Sequence, residues 1–476
     1  MFFEKIKTPG LAHLSYFIAT NGVAVVIDPK RDIDDYLRLA IEHNAQIKYV
    51  IETHRQEDFV IGSNELHEKT GAKVVGGRHP IFNHCDIQLE DGEFFKIEDI
   101  TLLCLATPGH TPEGQSYGVY LEDKDTCWGV FTGDTLFVGD TGRTDLPDPN
   151  KTALNAKVIY NSIRTKIAPL GDQAIIFPAH GSGSVCGGSI ANYDQSTIGF
   201  EKSYNPVFTM DESEFVEHKL SERIPRPPYF SLMEKINYEG GWRIGQNLAN
   251  IKILKAIDFL EQSKNGIIID TRAPEAFASG HIPNSYNIWL DGLQVFGGWF
   301  CRKDTQVYLV LDKLEDLNLA RLMLSRIGVG RIKAALANGI PALRQAGLEL
   351  ESFAVAGPKE LFHNKSNFEI FDVREITEYE SAHIEGSKHC FVGHLEEYLL
   401  KHRPSNKRIA TLCSVGHRGA IAASIFAKLG YKNVYNILGG MNSWKSLGLP
   451  IEEGHKKVVS APKKKLENAA QWGSTH

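Results

Sequence analysis

One stretch of this chain is written twice. Residues 267–285 read IIIDTRAPEAFASGHIPNS, and residues 369–387 read EIFDVREITEYESAHIEGS. Asp270/Asp372, Arg272/Arg374, Phe277/Tyr379, His281/His383 and Ser285/Ser387 all pair at an offset of 102 residues. The register still holds where Arg326-Ile327-Gly328 meets Lys428-Leu429-Gly430. A repeat of that length is a duplicated domain, because solenoid units run to roughly 20–50 residues. Each copy passes from an apolar strand through a helical stretch to another strand, which predicts a parallel sheet with helices on its faces. At roughly 150 residues per domain, a chain of 476 residues has room for about three domains.

The first ~200 residues hold the third. AVVID (24–28) reads as a strand, DIDDYLRLAIEHN (32–44) has apolar residues at helical spacing, and KYVIETH (48–54) returns as a strand. TLLCLATPG, CWGVFTGD and QAIIFPAHG are further strands, each broken by Gly, Pro or a turn. From 203 to 245 the chain is rich in Pro, Gly and aromatics, and we expect an extended connector packed on a surface. The expected divisions are therefore 1–245 with its connector, 246–350, 358–455, and a solvated Lys-rich tail at 456–476.

Composition narrows the function classes. With 52 basic and 58 acidic residues the formal charge is −6, which leaves no basic excess for nucleic acid. No apolar run approaches the ~20 residues of a membrane span, and the charged start MFFEKIKTPG lacks the core of a secretory signal. The seven cysteines are scattered without a CxxC pair, so free thiols in a reducing, cytoplasmic setting are expected.

Three histidines and an aspartate stand where apolar strands end: His54, His110, Asp134 and His180. Strand ends in a layered α/β fold are where site residues gather, and imidazoles with a carboxylate suit a divalent first-row metal. A single such histidine is most often structural, but four in this context favour a metal centre. With the segments TH…D, GHTPEGQS, TGDTLF and FPAHG in this order, residues 1–200 resemble the metallo-β-lactamase superfold. The resemblance implies an αββα fold, followed here by two α/β domains. Where that family's first motif runs H-x-H-x-D-H, this chain reads His54-Arg55-Gln56-Glu57-Asp58-Phe59, so two histidines of a binuclear zinc centre are replaced. The remaining His54, His110 and Asp134 form the 2-His-1-carboxylate set of non-haem Fe(II) oxygen chemistry. Those are the iron-ligand positions of persulfide dioxygenases, which the chain resembles more narrowly. The resemblance implies one Fe(II) per chain, with zinc as the alternative. It gives Arg143 of GRTDL the task of holding an anionic substrate group, and His180 and Asp58 hydrogen bonds to a ligand or to bound oxygen. It also brings Cys186 of GSGSVCGGS near the metal, where a buried structural thiol is the competing reading.

In the second repeat KRIATL (407–412) leads into Cys413-Ser414-Val415-Gly416-His417-Arg418-Gly419 and then an amphipathic helix. A cysteine there meets backbone N–H groups and the positive end of the helix, which favour a thiolate. The pattern C-x-x-G-x-R, spanning Cys413, Gly416 and Arg418, resembles the active loop of rhodanese sulfurtransferases, as do DVR…HIEGS and GGMNSWKSLGLP. In the first repeat Leu311 or Asp312 stands at the cysteine position, and Glu315 and Asp316 replace the basic end. That copy is expected to serve packing, interdomain geometry or oligomer contacts, with Cys301 structural.

The expectation from these readings is a sulfur-oxidising fusion enzyme. Its small molecules would be a low-molecular-weight thiol persulfide, O2 and sulfite, with sulfane sulfur passing through Cys413 and thiosulfate as a further product. Self-association into a homo-oligomer is also expected; nucleic acid and membrane are not. Two rivals stand beside it: a metal-dependent thioester hydrolase of the glyoxalase II type, and a rhodanese carrier with a degenerate metal domain.

Overall fold

Alternation of side chains builds the front of the molecule. Tyr16, Ile18, Val25 and Ile27 point to one face of their strands, and Phe17, Ala19, Ala24 and Val26 to the other; both faces are buried. A sheet covered on both sides must sit inside a layered fold. The computed structural model describes residues 1–121, 125–146, 148–193, 195–242 and 251–454. The expected tail 456–476 and the expected boundary at 246 lie outside the described residues.

The first sheet runs in chain order: β1 (Phe2–Thr8), β2 (His13–Thr20), β3 (Val23–Ile27), β4 (Gln46–Ile51), β5 (Lys73–Gly77) and β6 (Ile87–Leu89). The second holds β7 (Phe94–Ile97), β8 (Ile100–Ala106), β9 (Gln115–Leu121), β10 (Cys127–Gly133), β11 (Ile175–Pro178) and β12 (Ser196–Thr197), again in order. Leu14, Tyr16, Val25, Ile51 and Val75 from one sheet meet Leu102, Tyr117, Val119 and Phe131 from the other in one core. On the outer face of the first sheet, Tyr36, Leu39 and Leu66 bring in the helices Asp34–Glu42 and Ser63–Thr70. Ile159, Ile163, Ile167 and Phe215 cover the second sheet in the same way. The result is the αββα layering that the sequence led us to expect.

The stretch 203–245 differs from the expected extended connector. It carries helices at Pro206–Thr209, Glu212–Ser221 and Phe230–Tyr238. The prolines that suggested extension fall at a first helical position (Pro206) or between helices (Pro225, Pro227, Pro228), where no backbone N–H is lost. Asp211 and Glu214 close a capping box on the middle helix.

The repeated half contributes β13 (Lys252–Leu254), β14 (Ile267–Asp270), β15 (Tyr286–Asn287), β16 (Val307–Val310) and β17 (Ile332–Leu336) from its first copy. The second copy contributes β18 (Ala354–Ala356), β19 (Phe368–Asp372), β20 (Lys388–His389), β21 (Arg408–Leu412) and β22 (Val434–Ile437). The chain packs as two units, Met1–Ile267 with Leu290–Ala342, and Ile268–Trp289 with Leu343–His476. In the first unit β13, β17 and β16 pair in parallel. In the second, β18-β22-β21-β19-β20 form a parallel sheet, and β14 pairs β15 in parallel.

Residues shared by the two copies do the same work in each. Arg272 grips Asp270 and the carbonyl of Gly280; Arg374 grips Asp372 and the carbonyl of Ala382. His281 stacks on Phe277 and His383 on Tyr379, both with ring centroids 4.0 Å apart. Ser285 and Ser387 each donate to the carbonyl three residues back, at 2.6 Å. The repeated pattern is thus a structural clamp, independent of any thiol.

Candidate metal centre and sulfur-transfer loop

Each strand end named above delivers a side chain to one buried place. His54 follows β4, His110 follows β8, Asp134 follows β10 and His180 follows β11. His54 Nε2 and His110 Nε2 lie 3.6 and 3.5 Å from the same oxygen, Asp134 Oδ2. Neither Nε2 has a hydrogen-bond partner, although both are buried. Their other nitrogens are pinned. His110 Nδ1 donates to the carbonyl of Arg143 at 2.8 Å. Thr53 Oγ1 gives its proton to Asp28 and so accepts from His54 Nδ1 at 2.9 Å. Two imidazoles fixed in the tautomer that turns a lone pair inward, beside a carboxylate, are what a bound divalent cation requires.

His180 stands behind Asp134. Its Nδ1 lies 2.8 Å from Asp134 Oδ1, and its Nε2 lies 3.0 Å from Asp58 Oδ2. Burial opposes charge on these groups, yet His180 and His54 together hold the Asp134 carboxyl well below its ordinary value. Cys186 belongs to the same cluster. Its sulfur lies within 4.8 Å of ligand atoms of His110 and Asp134, and of Asp58 and His180.

The positions that would build a second metal site are filled otherwise. Phe59 is fully buried with its ring 4.2 Å from His13, and Gln56 Nε2 sits 3.5 Å from His54 Nδ1.

Arg143 departs from the expectation that it holds an anionic substrate group. All five of its guanidinium N–H groups are taken, by Asp145 and by the carbonyls of Val185, Ile224 and Pro225. Its side chain ties the segment before Cys186 to the segment after the Glu212–Ser221 helix, and its own carbonyl orients His110.

Three contributors were missed in the sequence. Glu57 is fully buried with Oε2 3.5 Å from His110 Nε2, and its one signal was an acid three residues after His54. Asp28 holds Thr53 at both its hydroxyl and its backbone N–H. Asn237, on the helix Phe230–Tyr238, donates to the carbonyls of Gln56 and Phe59 at 2.7 Å and accepts from Ile61 N–H at 3.0 Å. It clamps the loop that carries Glu57 and Asp58, and nothing in its local sequence marks it.

The second site is the loop between β21 and the helix His417–Lys428. Cys413 Sγ accepts the backbone N–H of Gly416 at 3.0 Å. The Cys413 carbonyl accepts from Met441 N–H, and that of Ser414 from Asn442 N–H. A Cβ on Gly440 would lie 2.1 Å from the Cys413 carbonyl oxygen, so the GGMNSW segment needs glycine to approach the loop. Arg418 reaches Glu378 and Ser414. Within the same unit, Trp289 packs its ring 4.6 Å from that of His417.

The other thiols have a different setting. Cys104, Cys127 and Cys390 donate to carbonyls. Burial pushes Cys104, Cys301 and Cys390 up to about 12 and raises Cys127. In the first repeat the corresponding loop carries Leu311, Asp312, Glu315 and Asp316 and no thiol.

Residues 8–180 match the metallo-beta-lactamase superfamily, and residues 255–346 and 358–447 each match the rhodanese-like domain. The mitochondrial persulfide dioxygenase ETHE1 of Homo sapiens is 27 % identical over 224 residues, covering 46 % of this chain and 79 % of that protein. The hydroxyacylglutathione hydrolase GloC of Haemophilus influenzae is 29 % identical over 204 residues, covering 38 % and 86 %. A crystal structure of a metallo-beta-lactamase from Staphylococcus aureus superposes with a TM-score of 0.62 at 29 % identity, covering 71 % of this chain and 98 % of that one.

Proposed function

Because this chain joins a metallo-beta-lactamase superfamily domain to two rhodanese-like domains, we propose that it oxidises a low-molecular-weight thiol persulfide to sulfite and carries sulfane sulfur on Cys413. The observation that carries the reading is the donor set: His54 Nε2 and His110 Nε2, buried and bare, on either side of Asp134 Oδ2. Those residues fit one divalent cation, and Gln56 and Phe59 supply no imidazole for a second. Fe(II) held there would supply the dioxygen chemistry that converts the outer sulfur to sulfite and frees the thiol.

The protein's own groups prepare that chemistry. Thr53 with Asp28, and the carbonyl of Arg143, hold the two imidazoles in register. His180 and Asp58 fix the second oxygen of Asp134. Phe59 and Phe137 pack rings toward His180 and keep water from that side. In the rhodanese-like loop, Gly416 N–H and the start of the following helix favour a sulfur anion at Cys413. A Cys413 thiolate attacks the outer sulfur of a donor persulfide, the donor's S–S bond breaks and the donor thiol departs; sulfite then takes the outer sulfur of the Cys413 persulfide, giving thiosulfate and returning the thiolate. No disulfide links the described cysteines, which suits a reducing compartment. Among the described residues no helix is long and apolar enough to cross a membrane.

The test is metal content of protein prepared without oxygen, followed by oxygen consumption on adding a thiol persulfide. About one iron per chain with persulfide-dependent uptake is the expected result. The hydrolase relative motivates the competing outcome, two zinc ions per chain with thioester cleavage, which would overturn the proposal.

A further inference from the structure

We infer that Glu57 is an additional ligand of the metal ion that the reading above assigns to His54, His110 and Asp134, and the inference rests on that reading. Three observations carry it. Glu57 has no exposed surface, yet its Oε2 has no hydrogen-bond partner. That bare oxygen lies 3.5 Å from His110 Nε2, matching the 3.5 and 3.6 Å from the two imidazoles to Asp134 Oδ2. Donor atoms sharing one ion at about 2.0–2.2 Å from it stand roughly 3–3.5 Å apart, so the spacing is that of a shared shell. The other carboxylate oxygen is held: Arg55 Nη2 lies 3.4 Å from Glu57 Oε1, and Arg55 is anchored through its backbone N–H to Glu113 Oε1 at 3.0 Å. One oxygen tethered by a guanidinium and one left bare is how a ligating carboxylate is oriented from behind.

The alternative is that Glu57 only pairs with Arg55 and steadies the loop. A buried carboxylate oxygen with no donor carries its full desolvation cost, and pairing with Arg55 alone leaves that cost standing, whereas ligation removes it. Two carboxylates also neutralise the charge of a dication. They leave a six-coordinate ion two open positions in place of three, one for each reactant.

The test uses the full chain loaded anaerobically with Co(II), whose visible bands respond to the identity and number of its ligands. Glu57→Gln is expected to weaken Co(II) binding at least tenfold and to change the band positions and intensities, with the far-ultraviolet circular dichroism unchanged. A crystal structure of the Co(II)-loaded wild type should place Glu57 Oε2 within about 2.3 Å of the ion, and this measurement does not depend on the variant folding. A Glu57→Gln protein with wild-type affinity and spectrum, or an oxygen more than about 3 Å from the ion, would overturn the inference and leave the three-residue site intact. Loss of Co(II) binding in His110→Ala together with an unaltered Glu57→Gln would do the same. A wild type that takes up no ion would sink the reading beneath it as well.

Discussion

Arg418 donates to Glu378 Oε2 at 2.5 Å and to Oε1 at 2.8 Å, and a further N–H goes to Ser414 Oγ at 2.8 Å. Burial works to keep the Glu378 carboxyl protonated, but the guanidinium and the Ser414 hydroxyl overcome it and hold the group at about 2. A carboxyl depressed in this way contributes stability that is complete above its unfolded value of 4.5 and fades as pH falls toward 2. Glu378→Gln should therefore cost about 1–2 kcal/mol at pH 7 after allowance for its partial exposure. Urea unfolding of both proteins should find the difference shrinking between pH 4.5 and pH 3, and a gap constant across that window would disprove the account. The same side chains mark what the sequence could convey about the site. Cys413, Gly416 and Arg418 share one short loop, and His54, His110 and Asp134 each follow a recognisable strand, so local pattern was enough to single them out as candidates. Glu57, Asp28 and Asn237 act only through the tertiary fold, and no periodicity points to them. Arg143 misled because its motif position is readable while its four partner residues, contributed from segments up to 82 residues away, are not.

At the scale of elements, the helix Leu317–Arg326 of the repeat that lacks the loop thiol packs against the half that carries the candidate metal site, within one unit. Its last residue clamps Asp32 with Nε and Nη2 at 2.7 and 2.6 Å, and its carbonyl accepts Val60 N–H at 2.7 Å. Val60 directly follows the loop that carries Glu57 and Asp58. The first copy thus braces the back of the loop that borders the candidate metal site. Arg326→Met removes the bidentate partner of the half-buried Asp32, leaving only Lys30 Nζ at 3.3 Å, and should lower stability by about 1–2 kcal/mol, with Asp32→Asn in the same chain recovering part of it. A double-mutant cycle with a coupling under about 0.5 kcal/mol would remove this brace from the argument. The helix Phe230–Tyr238 works from another side. Asn237→Ala strands two carbonyls and one N–H, for an expected loss of about 2–3 kcal/mol and roughly tenfold in affinity for the proposed metal ion, read by unfolding and by chelator competition. This helix was hidden in the sequence because a run of Pro and Gly reads as extension. The prolines stand between helices, and apolar spacing at Phe230, Met233 and Ile236 was too short a pattern to outweigh them.

For the whole molecule, the duplication was legible at once and the layered front domain nearly so, since strand periodicity and repeat register survive in any sequence that builds them. The two chemistries should separate cleanly by mutation. Cys413→Ser is expected to leave persulfide-dependent oxygen uptake within twofold of wild type while abolishing thiosulfate formation from added persulfide and sulfite, and His110→Ala to do the reverse. Loss of both activities in Cys413→Ser would show that they are not independent. The hydrogen bonding of the thiols carries this one step further. Cys104, Cys127 and Cys390 donate to carbonyls, whereas Cys413 Sγ accepts the backbone N–H of Gly416. With Cys413 as the proposed sulfur carrier, the chain should have a capacity of one. Incubated with excess donor and weighed intact, it should gain a single sulfur atom, which cyanide removes and which Cys413→Ser never acquires, however long the exposure.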